Sequence, residues 1–312
     1  MPAEVVLMIS THLDDHSLRA LALSSQSFCR LLLLEYLRRR GLVVKDASSD
    51  GSSTVEVRGP SGYASLRFLS PLHGFQPPKD MSCFIPYAML EAQLTFECLM
   101  QFLLDPSNTC NLWEFYLSLC GSNSAQLVSE FIKIRQLFCT LPLTCLYLLG
   151  FGSEDYLPPD SVLRRGVSGS SHTLTSFHIW SDYAFTPGLA QTMMRILNHS
   201  PIKDLSISMV SLKERHWLIL LRELNMAFLK DIDLNGDIPQ PALIRFLAKH
   251  KGLTNICIKC NVPSAQPCPT QTWSLPFLPN LLSLSAPLAI CCDIAERNSN
   301  SSNLRDLQVG MS

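Results

Sequence analysis

Cys257 and Cys260 stand with two residues between them and Cys268 a little further on, the opening of a zinc knuckle. Tetrahedral zinc draws thiolates from such pairs, but needs a second pair or histidines to close the site. No second pair follows, and an odd separation along an extended segment sends Cys257 and Cys260 to opposite faces. A surface thiol and a turn thiol are expected, with no metal. Gly150-Phe151-Gly152 follows an apolar run yet lacks the third glycine of a dinucleotide fingerprint, and no glycine-rich loop ends in Gly-Lys-Ser/Thr. Gly166-Val167-Ser168 lacks the closing glycine of a nucleophile elbow, and none of the eight histidines forms a metalloprotease pair. His178 and Cys257 are too far apart along the chain's repeat pattern to form a Cys/His nucleophile. These absences predict a chain that is not an enzyme and needs no cofactor.

Composition agrees with a binding protein recognised locally. Of 312 residues, 47% are hydrophobic and 16% charged, which excludes a disordered chain and supplies one large or two smaller cores. The 25 basic and 26 acidic residues leave a net charge of -1, so no global field draws in nucleic acid or an acidic membrane. Twelve cysteines are scattered through apolar segments, as in a reduced, intracellular protein. Met1 to Leu13 holds Glu4 and no Lys or Arg, unlike a secretory signal. The most lipid-like stretch, Leu137 to Phe151, is 15 residues long and contains Pro142, whereas a spanning helix needs about 20. Cytoplasm, nucleus or both are expected, without membrane or nucleic acid. Glycosylation triplets at Asn198 and Asn300 carry no weight in that setting.

The elements that position any binding residues come from a repeat. The pattern apolar, two residues, apolar, one residue, apolar occurs eight times: Leu112/Phe115/Leu117, Leu143/Leu146/Leu148, Leu174/Phe177/Ile179, Ile202/Leu205/Ile207, Leu229/Ile232/Leu234, Leu253/Ile256/Ile258, Leu281/Leu284/Ala286 and Leu304/Leu307/Val309. Successive copies are 31, 31, 28, 27, 24, 28 and 23 residues apart, close to the period of about 20–29 of leucine-rich repeats. Each triplet reads as a short strand with one face inward. Cys120, Asp182, Asp237 and Asn261 follow at the place where a small polar side chain bonds the turn. Helical spacing returns between strands, as in Gln126 to Leu137, Leu189/Met193/Ile196/Leu197, Leu218/Leu221/Leu224/Phe228 and Pro241 to Ala248. Gly152 to His172 and Pro263 to Pro276 read as long loops. Such units stack with a parallel sheet on a concave side and helices on a convex one. The expected fold is α/β, an irregular leucine-rich repeat solenoid over residues 111–312, resembling a short horseshoe. Its last strand has no polar cap, which leaves a dimer, an edge loop or further chain to cover it.

Residues 1–40 read as three short amphipathic helices, Pro2 to His12, Asp15 to Leu23 and Gln26 to Leu37, with Asp14 or Asp15 as a cap. Residues 41–110 read as a connector: a hairpin of Val43/Val44 with Thr54 to Arg58, a degenerate first repeat at Leu66 to Leu72, and its helix at Glu91 to Leu104. Arg38, Arg39 and Arg40 suit the negative end of a helix. The order and spacing of Met1-Pro2-Ala3-Glu4-Val5-Val6, Ile9, Leu13, Asp14-Asp15, Leu18, Leu21, Ser24, Phe28, Arg30 and Leu31 resemble an F-box. Met1 stands where that family has Leu, no Trp appears before Trp113, and the motif beginning at the first residue implies an N-terminal extension. F-box proteins similar to this chain carry leucine-rich repeats downstream. The resemblance implies that Pro2, Val5, Ile9, Leu13, Leu18, Leu21 and Leu31 bind a Skp-type adaptor and through it a cullin-based ubiquitin ligase, while the repeats hold a protein substrate. The alternative is a free-standing repeat scaffold without a ligase.

Side chains between the apolar positions face outward and line up across the array. That column reads Tyr116, Tyr147, His178, Ser206, Asp233, Cys257, Ser283 and Gln308, with Glu114, Trp180, Asp204, Asp231 and Lys259 beside it. Tyr116, Tyr147, His178 and Trp180 are expected to anchor the substrate, and Asp204, Asp231 and Asp233 to attract a basic segment of it.

Overall fold

Each of the eight apolar triplets runs into a short strand, and in the first seven all three members are buried. The computed structural model describes residues 3–24, 26–46, 53–69, 77–85, 89–109, 111–120, 141, 143–151, 173–185, 190–208, 212–259, 278–288, 290–292, 294 and 303–309. The protein is mixed α/β with mostly parallel strands, in two compact units: Met1–Gly121 with Gln136–Leu143, and Ser122–Arg135 with Thr144–Ser312.

The first unit opens with helices α1 (Ala3–Ser10), α2 (Asp15–Ser24) and α3 (Gln26–Arg39). Asp14 caps α2: its Oδ1 accepts the Ser17 N–H at 2.7 Å, relieving one of the four orphan donors of a helix start. Strands β1 (Leu42–Asp46) and β2 (Ser53–Arg58) pair antiparallel, the expected hairpin. Helix α4 (Gly59–Ser65) and a tight turn at Leu66–Phe68 follow, then β3 (Asp80–Ile85), α5 (Met89–Leu103), α6 (Pro106–Thr109) and β4 (Glu114–Cys120). β2, β3 and β4 are parallel neighbours. The extra repeat strand is therefore β3, not Leu66 to Leu72. Pro78, Met81 and Cys83 are its buried triplet, disguised by a proline in the leading place and by residues other than branched aliphatics.

The three-helix segment and the connector belong to this one unit. Gly41, with φ +86°, turns α3 into β1, and its carbonyl accepts the Arg58 N–H at 2.7 Å. A Cβ there would strike the Arg58 carbonyl, so both the dihedral and the close approach require glycine. The Tyr36 ring meets Phe68 edge-on at 6.3 Å.

In the second unit β5 (Cys145–Phe151), β6 (Ser176–Ser181), β7 (Asp204–Ser208), β8 (Asp231–Asn235), β9 (Asn255–Lys259), β10 (Ser283–Ala286) and β11 (Asp306–Val309) pair in sequence order, all parallel. Helices α7 (Ala190–His199), α8 (Glu214–Glu223) and α9 (Gln240–Lys249) fill three of the returns. Proline at the start of α9 costs nothing, because the first N–H groups of a helix have no internal partner. Helix α8 buries Trp217, Leu220 and Leu221 and stops at Glu223, so Leu218 and Phe228, expected on its inner stripe, are exposed.

One backbone device recurs at each strand start. The carbonyls of Thr175, Lys203, Lys230, Thr254 and Leu282 each accept two successive N–H groups of the next repeat, at 2.7–3.2 Å. Asparagines add side-chain ties: Asn198 donates to the Glu223 carbonyl (3.1 Å), Asn280 to that of Lys251 (3.3 Å) and Asn303 to that of Pro279 (2.8 Å). The turn after β8 is closed by backbone, Ile238 N–H to Gly236 carbonyl at 2.9 Å, and Asp237 is exposed. The expected helix Gln126 to Leu137, both long loops, Gly152, Gly166-Val167-Ser168, Cys260, Asn261, Cys268 and the side chains of Cys120 and Asp182 lie outside the described residues. Among the described residues, no helix is long and apolar enough to cross a membrane.

Candidate functional site

The inward triplets leave the intervening side chains of the second unit on an open sheet face. The register aligns Tyr147, His178, Ser206, Asp233, Cys257, Ser285 and Gln308. Ser285, between Leu284 and Ala286, takes the place assigned to Ser283, which instead pairs with Asn255 in the flanking row.

On β5 to β7 this face carries a connected group. The Tyr147 and His178 rings stack 4.4 Å apart and 7° from parallel. The Ser176 hydroxyl donates to Asp204 Oδ2 at 3.0 Å and lies 2.9 Å from His178 Nε2. A hydroxyl has a single proton, so Ser176 accepts from Nε2–H rather than donating to it. That is the reverse of a serine nucleophile facing its base, and Asp204 stands on the same ring nitrogen, at 3.5 Å, rather than across the ring. The trio fixes the ring plane and presents Tyr147 and His178 as one aromatic surface. Trp180, half exposed, reaches diagonally to β7 and donates its indole N–H to Ser206 Oγ at 3.1 Å.

The aspartates expected to attract a basic segment are each engaged. Besides the Asp204 contacts, Asp231 Oδ1 accepts the Thr254 hydroxyl at 2.9 Å and the Asn255 amide. Asp233 pairs with Lys259 at 3.4 Å, an exposed ion pair of little strength. Burial first, then the Asp233 carboxylate, pushes the Cys257 thiol up, so it keeps its proton at neutral pH. Among the described residues, no group of three or more His, Cys, Asp and Glu side chains is placed to hold a metal ion.

In the first unit Tyr116 pairs in register with Ser82 and donates its hydroxyl to Glu114 at 2.9 Å. The other candidate surface there is α1. Its inner side is Val6 and Ser10, four residues apart and both buried. Val5, Leu7, Met8 and Ile9 are exposed, Met8 by 64%, as is Leu23 of α2 by 65%. Leu13 and Leu21 are half-buried. Leu18, expected among the adaptor contacts, is fully buried in the core of α2 and α3 and is not a surface residue. Pro2 and the Leu31 side chain lie outside the described residues. Apolar spacing groups Val5, Met8, Ile9 and Leu13 as one face of the first helix, so Met8 was legible there, whereas spacing does not single out Leu7 and Leu23.

Arg39 holds α1 in place. Its guanidinium donates to the carbonyls of Ser10 (2.6 Å) and Leu13 (2.7 Å), at and just beyond the end of α1, and to Glu35 (3.0 Å). Glu35 also takes Arg38 at 2.8 Å, and these hydrogen bonds, Arg38 foremost, hold its carboxyl below the usual range. Arg39 thus serves the end of another helix rather than its own.

No protein-family model matches the chain, and no curated protein matches it.

Proposed function

We propose that this chain is a non-catalytic substrate-recognition adaptor. In this reading α1 to α3 act as an F-box that binds a Skp-type adaptor, and the strand and helix repeats act as a leucine-rich repeat array that holds a protein target. The ligase chemistry belongs to other subunits, and the chain acts by raising the local concentration of a target lysine beside them. The observation that carries the reading is the outward apolar side of α1, with Val5, Leu7, Met8 and Ile9 exposed although the helix is anchored by Val6, Ser10 and Arg39. A helix held so firmly and left apolar outside is suited to a protein partner. The aromatic surface of Tyr147, His178 and Trp180 is suited to holding a target by area rather than by charge.

Co-expression of the full chain with a Skp-type adaptor tests this. Wild type is expected to retain the adaptor through purification. Met8→Glu and Ile9→Glu are expected to lose it with unchanged circular dichroism, since both side chains are exposed. Failure of the wild-type chain to retain it leaves the repeats as a free-standing scaffold.

A further inference from the structure

We propose that His250 is an acid-labile latch: protonating its ring releases the segment that leads from α8 into β8. The inference goes beyond the adaptor reading and does not depend on it. That segment, Leu224 to Lys230, has no regular structure, so its N–H groups must find partners elsewhere. Two consecutive ones are taken by side chains from neighbouring repeats. Asn225 N–H donates to Asn198 Oδ1 at 2.7 Å, from the end of α7, and Met226 N–H donates to His250 Nε2 at 3.0 Å, from the end of α9.

The protonation state of His250 follows from its partners. Nδ1 lies 2.7 Å from the Phe246 carbonyl, which can only accept, so Nδ1 carries the proton. Nε2, accepting from an amide, carries none. The ring is buried against Phe246, with centroids 4.2 Å apart. A proton added to Nε2 would set donor against donor in a site without water to spare. Among the described residues, the charge acting on the ring is that of Lys249, on its own helix, whose ammonium donates to the Arg222 carbonyl. Arg222 and Glu223, at the end of α8, are paired with each other at 3.0 Å. Burial first, with Lys249 adding to it, pulls the ring below the ordinary histidine value of 6.5, against the Phe246 hydrogen bond.

The sign follows. A histidine whose pKa is depressed by folding contributes stability that is whole above its unfolded value and is lost as pH falls through the folded one. Acidification therefore acts on the segment entering β8, the strand that carries Asp231 and Asp233 on the open face.

Nuclear magnetic resonance on the full chain tests the latch. Long-range nitrogen correlations at pH 7.5 are expected to show His250 as the Nδ1–H tautomer. Protection of the Met226 amide, corrected for intrinsic exchange, is expected to fall as pH drops from the unfolded histidine value of about 6.5 towards the lowered folded one, by up to about tenfold per pH unit as one coupled proton requires, and to level off below it. The α3 amides should not follow. His250→Gln, which keeps a donor and an acceptor without titrating, is expected to abolish the step. An Nε2–H tautomer, flat Met226 protection down to pH 5, or an unchanged step in His250→Gln would overturn the proposal. Should that variant not fold, tautomer and protection in the wild-type chain decide alone.

Discussion

Trp217 is fully buried on α8, and its indole N–H has no hydrogen-bond partner among the described residues. A donor stripped of water without compensation costs about 1–3 kcal/mol, so its core contribution comes from area alone. Trp217→Phe removes the donor along with some volume, and the two effects oppose; urea unfolding is expected to show a loss under about 1.5 kcal/mol, against about 3–5 kcal/mol for Trp217→Ala. Asp14 acts through Ser17: its N–H foremost, then its hydroxyl, hold the carboxyl below the usual range. Its stabilisation is present above the ordinary value of 3.8 and is lost as pH falls through the lowered one. Asp14→Ala should lower Tm at pH 7, Asp14→Asn should retain most of it, and the difference between wild type and Ala should narrow in a melting series taken below pH 3.8. Such residues are hard to find by spacing. The cap was legible, because Asp before an apolar helical run has one common use, whereas nothing in the sequence around Asn198 distinguishes a tie between repeats from a glycosylation triplet. Its amide is bonded on both sides, to the Glu223 carbonyl and the Asn225 N–H.

For elements, periodicity carried the reading where one face is buried and failed where the signal was atypical. Helices α1 to α3 fall within two residues of their expected bounds, since Leu18, Ala22, Leu32, Leu33 and Leu37 repeat at helical intervals and are buried. β3 was missed because Met81 and Cys83 do not look like strand residues. Helix α8 was displaced by one position, since Trp217 and Leu218 are adjacent and only packing chooses between them. The orientation of α1 was the least legible element, depending as it does on a guanidinium from the far end of α3. Arg39→Lys keeps the charge but not the fork, and a point charge cannot serve both carbonyls in the same geometry. Hydrogen exchange is expected to show faster opening of residues 3–13 in that variant, with a global loss of about 1–2 kcal/mol.

At the scale of the whole molecule, the repeat makes stability depend on position. In the second unit β6 to β10 each have a strand on both sides, whereas on β11 Leu307 and Val309 are 46% and 50% exposed although they occupy the apolar positions. Leu205→Ala, Leu234→Ala and Leu284→Ala are expected to cost about 2–5 kcal/mol each in denaturant unfolding. Leu307→Ala should fall within about 0.5 kcal/mol of wild type.

The mixed α/β class, the eight strand-forming triplets and the three helices before them follow from residue spacing alone, because burial of one face imposes a period the residues display. Which outward residues meet is set by the packing of one strand against the next. Register brought Ser285 rather than Ser283 into line, stacked Tyr147 on His178, and gave Asp204, Asp231 and Asp233 partners on other strands. It likewise buried Leu18 and exposed Met8. A face is read from the spacing along one segment, but a partner lies on another segment, and its distance is set by packing that no local pattern records.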